Sequence, residues 1–236
     1  MPRNEVVRLL VVSLLAGLCE VASLARAQTP VMPERTRDNL MVVLRESMGA
    51  NRPDEALAPT GKMTTVLDGK EVELVLASFE FIGDMHIRFV FDGPEIMVNA
   101  TPDDLVRLSL SNVDAALAVA VANVKRVYGE PAAAPWTKGL MMVQGKSPDL
   151  DSSYFLDREF WRKLVRQYPE GVVVAVPKRG GLLYAPLSDA ERVQVLKENV
   201  AYLHESSERQ RVSSALYLFR DDKWSVYQAP VPVKEP

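Results

Sequence analysis

The pattern that most constrains the fold is an alternation of strand-like and helix-like periodicity along the chain. Strand pairs separated by short turn sequences are predicted at 62–76, 79–91, 171–185 and 215–228. Helical spacing of apolar residues separates these pairs. Two strands joined by a short turn pair antiparallel, whereas parallel strands need a long crossover. The pattern therefore predicts an α+β fold, in which antiparallel β-hairpins alternate with amphipathic helices.

Several individual elements are predicted from local signals. Apolar spacing over Leu40–Met48, followed by Gly49, predicts a helix, and a second helix over 113–127 is apolar almost all round and is expected at the centre of the core. We expect a connector at 131–135 and a polar loop that ends at Ser153. The sequence Ser188-Asp189-Ala190-Glu191 reads as a capping box that opens a C-terminal helix.

The second hairpin has a predicted register. Pairing Phe81 with Ile87 and Phe79 with Phe89 places the aromatic side chains on one face, since a slip by one residue would reverse the faces. This register sets Glu80 opposite Arg88.

The N-terminus has the three parts of a secretory signal peptide at 1–27. Arg3 and Arg8 precede an apolar run at 9–18, and Ala25 and Ala27 occupy the small-residue positions before Gln28. We expect cleavage between Ala27 and Gln28, and a mature protein in the periplasm or outside the cell. An uncleaved anchor is the alternative, but the run is shorter than the roughly twenty residues of a membrane span. Lipidation of Cys19 is disfavoured because Leu18 is not small.

After the signal peptide, the chain is expected to have three parts. We expect a flexible tether at 28–35, a single α+β domain at 36–229 with two halves joined near 129–138 as the alternative, and a disordered tail at 230–236.

Charge and cysteine content exclude several classes of protein. The net charge of −3 gives no electrostatic footprint for nucleic acid. The single cysteine, Cys19, leaves with the signal peptide, so the mature chain has no disulfide and no thiol nucleophile. No membrane span is expected in the mature chain.

The turn Lys178-Arg179-Gly180 is the candidate anion- or partner-binding site. Two cations on a glycine-containing turn between core strands can bind an anion through charge and free backbone N–H groups. The alternative is an ordinary hairpin turn with solvated side chains. Trp136 and Trp224 are candidates for a partner surface, and packing in the core is their alternative.

The other chemical groups are scattered, and none forms a recognised catalytic, cofactor or metal motif. His86 is expected on the solvated face of its strand and His204 in the last turn of its helix. The serine pairs at 152–153 and 213–214 are expected in loops without a base, and Asp149 with Asp151 makes an incomplete calcium loop. The alternative to a binding protein is a hydrolase with an acidic site, for which the least unfavourable cluster is Asp84, Asp92 and His86. No cofactor and no metal are predicted.

The C-terminal half resembles a known family of bacterial proteins. The matching features are the run at 151–157, Trp161, the strand and turn at 172–179, and Leu182-Leu183-Tyr184-Ala185. Together they resemble the YtpQ-type family (DUF1444) over residues 112–205. Members carry Asp after the turn arginine, where this chain has Gly180, and they are mostly cytoplasmic. The resemblance implies a fold and no activity. Because the N-terminus has the pattern of a signal peptide and no catalytic motif is recognised, we expect an exported, soluble, non-enzymatic protein that binds an unknown protein or a small anionic ligand.

Overall fold

Two antiparallel sheets form the framework of the protein. The computed structural model describes residues 30–67 and 69–232, and the predicted signal peptide and its cleavage site lie outside this part of the chain. The first sheet has the strand order β1-β6-β5-β2, and β7 also pairs with β6. Its strands are β1 Leu40–Glu46, β2 Ala58–Pro59, β5 Ser78–Glu80, β6 Met85–Asp92 and β7 Met97–Asn99.

The second sheet has six strands in the order β13-β12-β10-β11-β9-β8. They are β8 Ala132–Pro135, β9 Met141–Gln144, β10 Val172–Lys178, β11 Gly181–Pro186, β12 Leu216–Arg220 and β13 Lys223–Gln228. A separate two-stranded sheet consists of β3 Lys62–Leu67 and β4 Lys70–Val75.

Four α-helices and three 3-10 helices accompany the sheets in the described residues. The α-helices are α1 Pro102–Arg107, α2 Val113–Tyr128, α3 Arg158–Val165 and α4 Ala190–Glu205, and the 3-10 helices are Thr137–Gly139, Pro148–Leu156 and Glu208–Gln210. None of the helices in this part of the chain is long and apolar enough to cross a bilayer. The mixed α+β architecture with antiparallel pairing, predicted from the sequence, is confirmed.

One large core joins the two sheets. Side chains of β1, β6, α2 and α3 pack with Val172, Val174, Tyr217 and Phe219 of the second sheet. A smaller core lies on the opposite face of that sheet, where Val173 and Ala175 meet α4. The 3-10 helix Pro148–Leu156 belongs to the larger core, and Ser153 Oγ donates a hydrogen bond of 2.8 Å to the carbonyl oxygen of Val42.

Three predicted hairpins are confirmed. β3 pairs with β4, β10 with β11, and β12 with β13. The last of these turns tightly at Asp221 and Asp222, which both have positive φ angles, as a two-residue hairpin loop requires. The capped start of α1 is also confirmed, because Thr101 and Asp104 form a reciprocal capping box.

The predicted helix over Leu40–Met48 is wrong, and this segment is strand β1. Five successive residues, Leu40 to Leu44, are buried, because the first sheet is covered on both faces along this strand. A short apolar run buried on both faces has no diagnostic period, so its sequence resembles that of a buried helix.

The register of the second hairpin differs from the prediction by two residues. Phe79 lies opposite Ile87 and Glu80 opposite His86. The turn is tighter than expected, with Ile82, Gly83 and Asp84 between the paired positions Phe81 and Met85, whose backbone groups hydrogen bond at 3.1 Å. A slip of two leaves the side chains on the predicted faces, and Glu80 binds Arg52 rather than Arg88.

Four further local predictions are wrong. Helix α2 is buried along one side only, and its alanine face at 115, 118 and 122 is exposed. The predicted connector at 131–135 contains the edge strand β8, which pairs with β9. The predicted polar loop contains the buried 3-10 helix Pro148–Leu156, and the N-cap of α4 is Asp189 rather than Ser188.

The ends of the described chain contact the body of the protein. Pro33 is buried, and Arg35 donates a hydrogen bond of 3.0 Å to Asp104. At the other end, the backbone N–H of Val231 donates to Ser214 Oγ at 2.9 Å.

Candidate functional site

A group of positively charged side chains lies on one face of the first sheet. In β1 and β6, Leu44, Ile87 and Phe89 are fully buried in the core. Because side chains alternate along a strand, Arg45, His86 and Arg88 lie on the opposite face. Arg45 is directly across from His86 in the β1–β6 ladder. Three residues of two neighbouring strands therefore bring three basic groups together.

Hydrogen bonds on both ring nitrogens hold the imidazole of His86. Its Nε2 lies 3.2 Å from Arg88 Nη2, and its Nδ1 lies 2.9 Å from Ser47 Oγ. A guanidinium can only donate, so Nε2 is the acceptor and Nδ1 carries the hydrogen. The Nδ1–H group then donates to Ser47 Oγ. In this tautomer His86 has no free lone pair with which to take a proton from Ser47.

Burial and neighbouring arginines keep His86 neutral. Desolvation, followed by the charges of Arg88, Arg45 and Arg52, lowers the pKa of His86 from 6.5 to about 4. Desolvation, followed by the charges of Arg179 and Arg88, lowers the pKa of Arg45 from 12.5 to about 10. Both pKa values are lowered because the two side chains are partly desolvated and lie near other positive charges.

Arg179 joins this group from the second sheet. It lies in the turn between β10 and β11, close enough to Arg45 to affect its ionisation. Its backbone is fixed, since its N–H donates to Gln210 at 3.1 Å and its carbonyl accepts from Ser152 at 2.7 Å. A Cβ on Gly180 would lie 2.6 Å from the carbonyl oxygen of Pro148. The backbone of the turn is thus packed against other segments, and its side chains are half-buried.

We call Arg45, Arg88, Arg179 and His86 the arginine cluster. Among the described residues, no carboxylate forms an ion pair with any of its three arginines. The carboxylates on adjacent strand positions face other groups, because Glu80 forms an ion pair with Arg52 at 2.6 Å and Glu46 Oε1 lies 3.0 Å from His204 Nε2.

Some nitrogen atoms of the cluster also have no hydrogen-bond acceptor. The Nε atoms of Arg88 and Arg179 are buried without a partner, as is Nη1 of the neighbouring Arg52. A buried donor without a partner costs about 1–3 kcal/mol, and more when it is charged. Arginine binds carboxylates and phosphates through its planar fork of donors. The arrangement is therefore chemically suited to an anion.

The structure separates the residues of the candidate site predicted from the sequence. Arg179 belongs to the arginine cluster. Lys178, its neighbour on the strand, instead lines a cavity of about 340 Å³ beside the end of α4, together with Ser206, Ser207 and Gln210. Gly180 contributes close backbone packing against Pro148.

The residues of the alternative acidic site have separate environments. The carboxylate of Asp84 is buried and accepts hydrogen bonds from Ser213, Ser214 and Tyr217. Asp92 accepts from Tyr128. It lies six positions along β6 from His86, which corresponds to roughly 20 Å at the rise of an extended strand. The structure does not bring these three groups around one point.

Asp151, Trp136 and Trp224 are the remaining candidates for a metal or partner site. Asp151 is buried and accepts a hydrogen bond of 2.8 Å from the N–H of Gly145, and desolvation raises its pKa. Within residues 30–67 and 69–232, no group of three or more His, Cys, Asp or Glu side chains is arranged to hold a metal ion. Trp136 is 36% exposed, whereas Trp224 is buried and stacks on Phe155 with ring centres 3.9 Å apart.

Sequence reasoning missed the contribution of Arg45 and Arg88 to a site. The predicted strand places His86 and Arg88 on one face, whereas the apolar spacing over 40–48 predicts that Arg45 lies in a helix. Reading 40–46 as a strand beside β6 would have aligned the three basic residues.

No known protein family, curated protein or solved structure matches the chain. The resemblance of residues 112–205 to the YtpQ-type family therefore stays a prediction.

Proposed function

We propose that the protein is a non-enzymatic binding protein whose arginine cluster holds the negatively charged group of a small ligand. The supporting observation is that three partly buried arginines share one place and have no carboxylate partner in the described chain. Bringing like charges together in a partly desolvated site is unfavourable unless an opposite charge joins them. A bound anion would supply that charge.

The geometry around His86 favours binding over acid–base catalysis. A histidine with a pKa of about 4 is a weak base near neutral pH, and its acceptor nitrogen already receives a hydrogen bond from Arg88. The ring instead orients Arg88 and Ser47. We further propose that binding takes place in the periplasm or outside the cell, which the N-terminal pattern at 1–27 supports.

The two histidines of the chain provide a direct test. NMR can follow the titration of His86, with His204 as an internal reference. Inorganic phosphate bound to the cluster should raise the pKa of His86, because the anion offsets the charges of the arginines. The variants Arg45→Gln and Arg179→Gln should weaken phosphate binding at least tenfold, which corresponds to one lost charge-assisted hydrogen bond of about 1.5–3 kcal/mol.

Arg162→Gln is the matched control, because Arg162 is an exposed arginine whose partner is Asp222. This variant should bind phosphate as the parent protein does. The proposal is overturned if phosphate and sodium chloride at equal ionic strength shift the His86 titration equally. It is also overturned if all three variants bind alike.

A further inference from the structure

A two-stranded arm lies beside the arginine cluster. We define the arm as Lys62–Leu67 and Lys70–Val75, strands β3 and β4, which pair only with each other in the described chain. It continues the shorter pairing of β2 with β5, to which it is joined at Gly61 with a φ angle of +82°. Glycine adopts this positive φ angle without strain.

One face of the arm is turned toward the arginine cluster. Met63 lies opposite Leu74, and Thr65 opposite Val72, so these four side chains share a face. Arg88 Nη2 contacts Met63 Sδ at 3.8 Å. Because Arg88 lies on the same face of β6 as His86, this contact places the inner face of the arm beside the cluster.

The two faces of the arm differ in exposure. Thr65, Val72 and Leu74 on the inner face are half-buried, whereas Val66 on the outer face is 65% exposed. Met63 is still 39% exposed. A lone two-stranded sheet is only marginally stable in water. The apolar inner face of the arm is incompletely covered, so a ligand that packs on it can add stabilising contacts.

We infer that the ligand of the arginine cluster is a monomeric anionic amphiphile, an alkyl carboxylate or alkyl phosphate, whose chain lies along Met63, Val72 and Leu74. This inference rests on the anion site proposed above. Its support is the juxtaposition of cations that have no carboxylate partner with an apolar, partly exposed surface. A ligand with a charge at one end and an apolar chain complements both.

The partly buried position of the cluster favours a free amphiphile as the ligand over a lipid head group in a membrane. The Nε atoms of Arg88 and Arg179 are buried. Arg179 also lies in a turn packed against the 3-10 helix Pro148–Leu156. A head group held in a flat bilayer cannot enter such a site, whereas a free amphiphile can.

A series of alkanoates tests the inference. Acetate, hexanoate and octanoate are titrated below their micelle concentrations at pH 7, with His86 chemical shifts and calorimetry as readouts. Affinity should rise about three- to fourfold for each added methylene, the increment expected for burying a methylene group. Octanol and octylamine should not compete with phosphate, because neither carries a negative charge.

Arm variants separate the chain from the head group. Leu74→Thr on the inner face should weaken octanoate binding about tenfold and leave phosphate binding unchanged. Val66→Thr, the same kind of change on the outer face, should leave both unchanged. Anionic phospholipid vesicles should not sediment the protein.

The outcomes distinguish the two proposals. If phosphate binds but octanoate binds no more tightly than acetate, the amphiphile is excluded and the anion site stands. If neither phosphate nor octanoate perturbs His86, both proposals fail. Binding of octanol or octylamine as tight as that of octanoate, or capture by vesicles, also overturns the inference.

Discussion

At the scale of single residues, His86 couples the charge of the arginine cluster to the stability of the fold. Its folded pKa of about 4 lies below its ordinary value of 6.5. As the pH falls through 6.5, the unfolded chain gains a proton at this position that the folded protein does not accept until about pH 4. The free energy of unfolding should therefore decrease over this interval, by about 2 kcal/mol after allowance for solvent screening.

Urea denaturation at pH 7 and pH 4.5 measures this loss. His86→Gln should lose less stability than the parent protein between the two pH values, and the comparison cancels groups common to both. Asp104, whose pKa is lowered from 3.8 to about 2, stabilises the fold above pH 3.8 and loses this effect as the pH falls from 3.8 through 2, below the two pH values compared. Equal losses in the two proteins would show that His86 is not held neutral.

Arg179 should carry a stability cost in the absence of an anion. Arg179→Gln removes a positive charge that has no carboxylate partner and keeps a polar side chain. We expect the free energy of unfolding to increase by about 1 kcal/mol in buffer free of phosphate and sulfate, as is common when a binding group is removed. Arg158→Gln, at an arginine bound to Glu55, should instead decrease it. A decrease for Arg179→Gln would identify Arg179 as a determinant of the fold.

At the scale of elements, the turn between β5 and β6 depends on a glycine. Gly83 has a φ angle of +58°, and an added Cβ would lie 2.5 Å from the hydroxyl oxygen of Tyr217. Gly49 also has a positive φ angle but has open space around its Cβ position. Gly49→Ala should cost about 1 kcal/mol through backbone strain. Gly83→Ala should cost at least about 2 kcal/mol more, because it also displaces a buried ring.

Thermal or urea melts of the two glycine variants measure this difference. Tyr217 donates to the buried carboxylate of Asp84 at 3.0 Å, so its displacement would also disturb that hydrogen-bond network. Similar losses in the two variants would mean that backbone strain alone accounts for the effect and that the turn can move away from Tyr217.

At the scale of the whole molecule, stability should depend neither on a disulfide nor on a bound metal ion. The only cysteine is Cys19, and the described chain contains no arrangement of side chains suited to a metal ion. Melts of a protein that begins at Gln28 should superimpose with and without reductant, and with and without a chelator. A decrease of several degrees with chelator would reveal a cation site, for which Asp149 and Asp151 are the first residues to substitute.

Export is a second property of the whole chain that can be measured. Ala25 and Ala27 occupy the positions that signal peptidase reads. N-terminal sequencing of the protein recovered from a secreting host should begin at Gln28. A mature form that retains Cys19, or that carries a lipid on it, would contradict the prediction.

By itself, the sequence determined the elements whose signals are local. The hairpins around 69, 180 and 222 and the cap at Thr101 follow from turn and capping residues that act within a few positions. The side chains of β5 and β6 lie on the faces predicted from the sequence despite the error in register, because a slip of two residues preserves their alternation. These features let the sequence predict the α+β class.

Only the tertiary structure decided where buried segments lie and which distant residues meet. The run Leu40–Leu44 is covered on both faces, so its period could not distinguish strand from helix. Polar residues at 151–153 are buried because a 3-10 helix fills the space beside both sheets. Arg45 and Arg179 are far apart in sequence, and the charge of Arg179 affects the pKa of Arg45 only because the two sheets share one core. The candidate site therefore depends on long-range packing, which no local pattern of residues encodes.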